Sequence, residues 1–78
     1  MNKIIEGLSW YGVIAILLAY ALNNFLIIDS TNIWYQVLNG SGAIFIAIDA
    51  YHQKDYQPGV LNTIWAIIAI IAIFRIVL

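Results

Sequence analysis

The chain has 78 residues, of which 64% are hydrophobic and 9% are charged, and its net charge is −1. A soluble domain carries about 25% charged residues, so this composition disfavours a protein that folds alone in water. Lysine and arginine together number three, which is too few for a nucleic-acid partner. The absence of cysteine excludes disulfides and thiolate metal sites.

Three apolar segments take up most of the chain. They cover about Leu8–Ile28, Ile33–Ala50 and Val60–Leu78. Each is near the length of about 20 residues that an α-helix needs to cross a bilayer. The sequence therefore predicts one all-α domain over residues 1–78, an integral membrane three-helix bundle.

The first segment is interpreted as a retained span and not as a secretory signal. It is longer than the apolar core of a signal peptide, which has about 7–15 residues. Asn23, Asn24 and Asp29 also stand where a cleavage site of small residues would be expected. We therefore expect all three segments in the folded protein.

The two connections suggest the topology. The polar link of residues 29–32 is short, which predicts an antiparallel first pair of helices. With three spans, Lys3 and Lys54 lie on one side of the membrane and Arg75 on the other. Because cytoplasmic loops are richer in lysine and arginine, the amino terminus is predicted to be cytoplasmic.

Small residues recur at helical spacing in each segment. Residues three or four apart share a helix face, and small side chains let membrane helices approach closely. We interpret these faces as helix-packing surfaces. The small residues are Gly12, Ala15 and Ala19, then Gly40, Ala43 and Ala47, then Ala66 and Ala69.

The side-chain amides are the candidate functional groups, because an unpaired amide is costly in hydrocarbon. Asn39 and Asn62 lie within the second and third segments, and Gln36 lies near the start of the second. Two interpretations stay open: the amides join helices, or they line a polar cavity. For Gln36, contact with the membrane interface is a third.

The charged residues restrict the chemistry. None lies in the middle of a segment, which disfavours proton or ion coupling. Asp49 lies at the end of the second segment, beside Tyr51 and His52, and is interpreted as interfacial, with a role in a site as the alternative. No serine has a histidine at a plausible depth to act as its base. We expect no enzyme, no metal site and no cofactor.

Two spaced motifs carry a resemblance to a known family. They read Tyr35-Gln36-x-x-Asn39-x-x-Gly42-Ala43 and Asn62-x-x-Trp65, with Trp10-Tyr11-Gly12 and Tyr20 ahead of them. With these, the sequence resembles a family of small bacterial membrane proteins. The resemblance covers nearly the whole chain. It implies three spans in the bacterial inner membrane and no established activity.

A looser resemblance is to the bacterial half-sized relatives of the SWEET sugar transporters, the SemiSWEET proteins of the PQ-loop superfamily. Those three-helix chains dimerise around a sugar path that has an asparagine in the third helix and a tryptophan in the pocket. Asn62 matches that asparagine, while Trp65 follows on the same helix. Their Pro-Gln pair is absent, since Pro58 is the only proline.

The leading functional prediction is a half-transporter-like unit whose homodimer forms a path or pocket for a small neutral solute. Amides both donate and accept hydrogen bonds, and rings offer flat apolar faces. The alternative is a non-transporting structural or regulatory subunit that packs on another membrane protein or on lipid. The predicted ligand-binding residues are Asn39, Asn62, Trp65, Gln36 and Tyr20.

Overall fold

The structure is a computed structural model that describes residues 3–78. It contains three helices in this range: α1 (Lys3–Asn24), α2 (Ile33–His52) and α3 (Tyr56–Val77). The predicted all-α class is confirmed. Each segment forms one helix, although the helix ends differ from the ends of the apolar segments.

Helix α1 ends at Asn24, before the apolar segment does. Leu26 has a φ of 62°, in the left-handed region that favours glycine. Its N–H donates to the Asn23 carbonyl at 3.0 Å, and the Ile27 N–H donates to the Leu22 carbonyl at 2.9 Å. These bonds close the last helical turn, so the remaining apolar residues belong to the connection.

Helix α2 ends in the same way. Lys54 has a φ of 60°, and its N–H donates to the Tyr51 carbonyl at 3.1 Å. The Asp55 N–H reaches back to the Ala50 carbonyl at 2.8 Å. This compact cap reverses the chain over very few residues. Pro58 then lies in the first turn of α3, where its missing N–H leaves no helical bond unmade.

Helix α2 lies between α1 and α3 and packs against both. The backbones of α1 and α2 approach most closely at two glycines, where a Cβ built on Gly12 would lie 2.5 Å from the Gly42 carbonyl oxygen. On the other side, a Cβ on Gly40 would lie 3.1 Å from the Cβ of Ala69. The small residues therefore pack helices within one chain.

The backbones of helices α1 and α3 do not approach each other closely. No Cα atom of one lies within 8 Å of a Cα atom of the other. In the three described helices, α2 thus packs against both α1 and α3.

The core is built from small side chains, and the large apolar ones point outward. Ala15, Ala19, Ala43 and Ala69 are buried, while the leucines and isoleucines in the middle of α1 and α3 are mostly exposed. Helices α1 and α3 are long and apolar enough to cross a membrane. Helix α2 is not apolar enough over the described residues to be counted as a membrane span, because amides, glycines and Asp49 lower its mean hydropathy.

Candidate functional site

The structure does not gather the predicted site residues at one place. Helices α2 and α3 are antiparallel, with Gly40 beside Ala69. Asn62 lies about two turns before Ala69 and is therefore level with Ala47. At about 1.5 Å per residue, this is about 12 Å along the helix axis from Asn39. The two asparagines do not share a site within one chain.

The Asn62 side chain is paired within its own helix. It is only 7% exposed, and its Nδ2 donates to the Pro58 carbonyl oxygen at 2.8 Å. That carbonyl belongs to the first turn of α3. The amide therefore stabilises the start of the helix and does not join two helices.

The other three predicted residues lie away from the interior. Gln36 is half-buried, and its Nε2 donates to the Ser30 carbonyl at 2.8 Å, which ties α2 to the preceding connection. Tyr20 is 63% exposed and Trp65 is 41% exposed. Both rings face outward, where lipid or a second protein would lie.

Asn39 differs from the other four. It is 4% exposed, and its amide makes no hydrogen bond to any described residue. On α2 it lies between the line of Gly42, which meets α1, and the line of Gly40, which meets α3. Neither of its amide atoms is among the fully buried polar atoms that lack a partner, so the amide keeps some accessible surface through which a group from outside the described chain can reach it.

The hydrogen bonds that join helices come from hydroxyl groups. The Tyr51 and Thr63 hydroxyls lie 3.0 Å apart, and the Thr63 hydroxyl also donates to the Gly59 carbonyl at 2.8 Å. On the other side of α2, the Tyr11 and Ser41 hydroxyls lie 3.0 Å apart. Joining helices was one of the two interpretations left open for the amides, and neither hydroxyl pair was predicted from the sequence.

The Tyr51–Thr63 pair makes a testable contribution to stability. Tyr51→Phe is expected to lower the free energy of unfolding by about 1 kcal/mol, because it removes a hydrogen bond between α2 and α3. Tyr20→Phe is the matched control, since the exposed Tyr20 ring lies outside the packed interior. Denaturation of both variants in detergent, followed by circular dichroism, measures the difference. Equal stability of the two would contradict the assignment.

The sequence did not predict a second polar feature, a cleft between two helix ends. The start of α1 meets the end of α2, and together they line a cleft of about 300 Å³. Asp49 lies there with one carboxylate oxygen, Oδ1, buried and without a hydrogen-bond partner. The antiparallel pairing of α1 and α2 brings it near Glu6, and the short link between those helices was the available signal. The lining residues are Glu6, Ser9, Trp10, Val13, Asp49 and Gln53.

Comparison with known proteins gives one match. No curated protein and no solved structure matches the chain. The comparisons give no support to a relationship with the half-sized sugar transporters. A model of an uncharacterised protein family matches residues 5–78. Since this match covers nearly the whole chain, the protein belongs to that family.

Proposed function

We propose that the protein is an integral membrane protein that binds a small neutral, hydroxylated solute at Asn39, as one half of a homodimeric path or pocket. The apolar exteriors of α1 and α3 support placement in a bilayer. The single observation that carries the solute site is Asn39, a residue 4% exposed whose amide makes no hydrogen bond among residues 3–78 and is not fully enclosed.

The chemistry of the surroundings favours a neutral ligand. An amide offers two N–H donors and one carbonyl acceptor, which match a hydroxyl that donates and accepts. No charged residue occurs between residues 33 and 48 of α2 or between residues 7 and 28 of the first segment. On α1 and α2 a charged solute would therefore find no compensating charge close to Asn39, and along α3 the nearest charge is Arg75 in the last turn.

The open arrangement of the helices supports a homodimer. Since no Cα atom of α1 lies within 8 Å of one in α3, the two backbones leave room beside the line of α2 that carries Asn39. A second copy, placed against the open side, would enclose a path between the two α2 helices. An odd number of spans fits this arrangement, because two-fold transporter designs then need two chains.

The charges at the helix ends support an orientation. Lys3 at the start of α1 and Lys54 after α2 lie at the same end of the molecule, and Arg75 lies at the other. Because cytoplasmic loops are richer in lysine and arginine, this proposal places the amino terminus on the cytoplasmic side of the membrane. We also propose that the membrane is the bacterial inner membrane.

A specific observation favours the second candidate function, a non-transporting structural or regulatory subunit. Two of the five predicted ligand residues, Asn62 and Gln36, are paired with backbone carbonyls of their own chain. The small-residue faces are also used inside the chain, at Gly12 and Gly42. Such a subunit would have to dock through the large apolar side chains on its exterior.

Uptake by proteoliposomes tests the leading proposal. Vesicles with the wild-type protein are expected to take up at least one of a panel of neutral polyols and monosaccharides faster than protein-free vesicles. Asn39→Leu is expected to reduce this uptake about tenfold, because it removes hydrogen bonds to the solute. The matched control is Asn24→Leu, an exposed amide outside the site. Absence of uptake for the whole panel would favour the subunit function.

A further inference from the structure

We propose that the apolar connection that follows α1, residues 25–28, is inserted into the bilayer and contacts lipid acyl chains. The connection then extends the membrane-embedded part of the chain beyond the end of the helix. This inference rests on the proposed placement of the protein in a membrane. It does not depend on the solute site at Asn39.

The side chains of the apolar connection are large and exposed. Phe25 is 76% exposed, Leu26 is 91% exposed and Ile27 is 66% exposed, so the rest of the described chain leaves them mostly uncovered. In water such a patch is unfavourable and marks a contact with another apolar surface. It continues the apolar exterior of α1, a helix that is long and apolar enough to cross a membrane. Lipid that covers α1 would therefore also cover the connection.

The backbone N–H groups of the apolar connection are all paired within the chain. An unpaired backbone N–H is costly in hydrocarbon, which keeps ordinary loops in water or at the membrane surface. The four donors here reach back to carbonyls at the end of α1 and leave none for water to satisfy. The donor–acceptor pairs are Phe25–Ala21 at 3.0 Å, Leu26–Asn23 at 3.0 Å, Ile27–Leu22 at 2.9 Å and Ile28–Leu22 at 3.3 Å.

The two amides at the end of α1 are also paired locally. The Asn23 Nδ2 donates to the Ile28 carbonyl at 3.2 Å, and the Asn24 Nδ2 donates to the Tyr20 carbonyl at 2.9 Å. The first of these bonds joins the last residue of the connection to the end of the helix and closes the turn. Because these bonds are made inside the chain, the amides lose less on leaving water.

The length of α1 gives a reason for the insertion. No charged residue lies between Glu6 and Asp29, and the helix ends at Asn24. At about 1.5 Å per residue, the charge-free part of the helix rises about 26 Å, which is less than the hydrocarbon thickness of about 30 Å. The apolar connection supplies the missing length, and Asp29 then lies at the boundary with water.

The conformation of Leu26 supports a role for its side chain outside the fold. Its φ of 62° lies in the left-handed region, which is unfavourable for leucine and free of strain for glycine. Within the described chain this leucine gains little in return, because it is almost fully exposed. Burial of the side chain among acyl chains offsets the unfavourable backbone conformation.

Fluorescence quenching in vesicles tests the insertion. An environment-sensitive fluorophore is attached to Leu26→Cys in the otherwise cysteine-free chain. The labelled protein is reconstituted with lipids that carry a nitroxide quencher either on the headgroup or on the upper acyl chain. We expect the acyl-chain quencher to act about twofold more strongly than the headgroup quencher, because the side chain lies below the headgroups. Ser30→Cys, an exposed position in the polar link, is the matched control and should show the opposite order.

A second control separates this inference from the proposed membrane placement. Leu17→Cys carries the same fluorophore on the exposed middle of α1. If acyl-chain lipid quenches position 17 but position 26 behaves as position 30 does, the connection lies in water and this inference is wrong, while the membrane placement stands. If position 17 is not quenched either, the membrane placement fails as well.

Two further results keep the test decisive. If position 26 is shielded from both lipid quenchers and from aqueous iodide, a protein surface covers the connection, which would also overturn the inference. If Leu26→Cys does not fold, Phe25→Cys provides the same comparison, because the Phe25 side chain is exposed and its φ is not positive. Stronger quenching by the acyl-chain lipid at position 25 is then the expected result.

Discussion

Gly12→Ala is expected to lower the free energy of unfolding by about 2 kcal/mol, although it adds one methyl group. The new Cβ would lie 2.5 Å from the Gly42 carbonyl oxygen and 2.9 Å from Cγ1 of Ile46. The first of these atoms belongs to the backbone of α2 and cannot turn aside. Helices α1 and α2 would have to separate, and the alanine contacts along them would loosen. Titration with a denaturing detergent, followed by helicity, measures the loss.

Gly7→Ala is the matched control for this substitution. It lies on the same helix, and a Cβ there meets nothing within 4 Å. Alanine is favoured over glycine inside a helix by about 1 kcal/mol, so this variant is expected to be stabilised. The two identical substitutions should therefore change stability in opposite directions. If Gly12→Ala were as stable as Gly7→Ala, the close contact of α1 with α2 would be wrong.

The second large effect concerns the two buried asparagines, which are expected to respond oppositely to the same substitution. Asn62→Leu should lower the free energy of unfolding by about 1 kcal/mol, because it removes the hydrogen bond to the Pro58 carbonyl. Asn39→Leu should raise it by about 1 kcal/mol, because the side chain it replaces is 4% exposed and makes no hydrogen bond within the described chain. The side chains are similar in size, so packing changes little.

This comparison separates a functional amide from a structural one. A functional residue often lowers the free energy of unfolding, so its replacement stabilises the fold while activity is lost. Asn39→Leu should combine higher stability in denaturation experiments with lost solute uptake. If Asn39→Leu instead lost stability as Asn62→Leu does, Asn39 would be a packing residue, and the proposed solute site would lose its support.

Helical periodicity predicted much of the fold. The three helices follow from apolar length, and the spacing of small residues identified the positions, such as Gly12 and Gly40, at which the helices approach. The end of α1 was not predictable, because Leu26 takes a left-handed conformation that usually requires glycine. The distance between α1 and α3 could not be predicted from the sequence either. It depends on the angle around α2 between Gly42, which meets α1, and Gly40, which meets α3.

The candidate site was predicted less well than the fold. A helical wheel places Asn39 and Asn62 on inner faces, and both are buried. It does not show which amide turns back to a carbonyl of its own helix, because that depends on the side-chain rotamer and on local space. Pairs across helices, such as Tyr51 with Thr63, require the antiparallel register, which the short connection implies only in outline.

Labelling of a single cysteine at position 39 tests the central claim most directly. The chain has no native cysteine, so Asn39→Cys introduces the only thiol. In intact membranes we predict that a water-soluble thiol reagent labels it, and that a solute identified by uptake slows the labelling. Ala19→Cys, at a position that is 0% exposed, should stay unlabelled. A folded Asn39→Cys protein that resists labelling would contradict the proposed path.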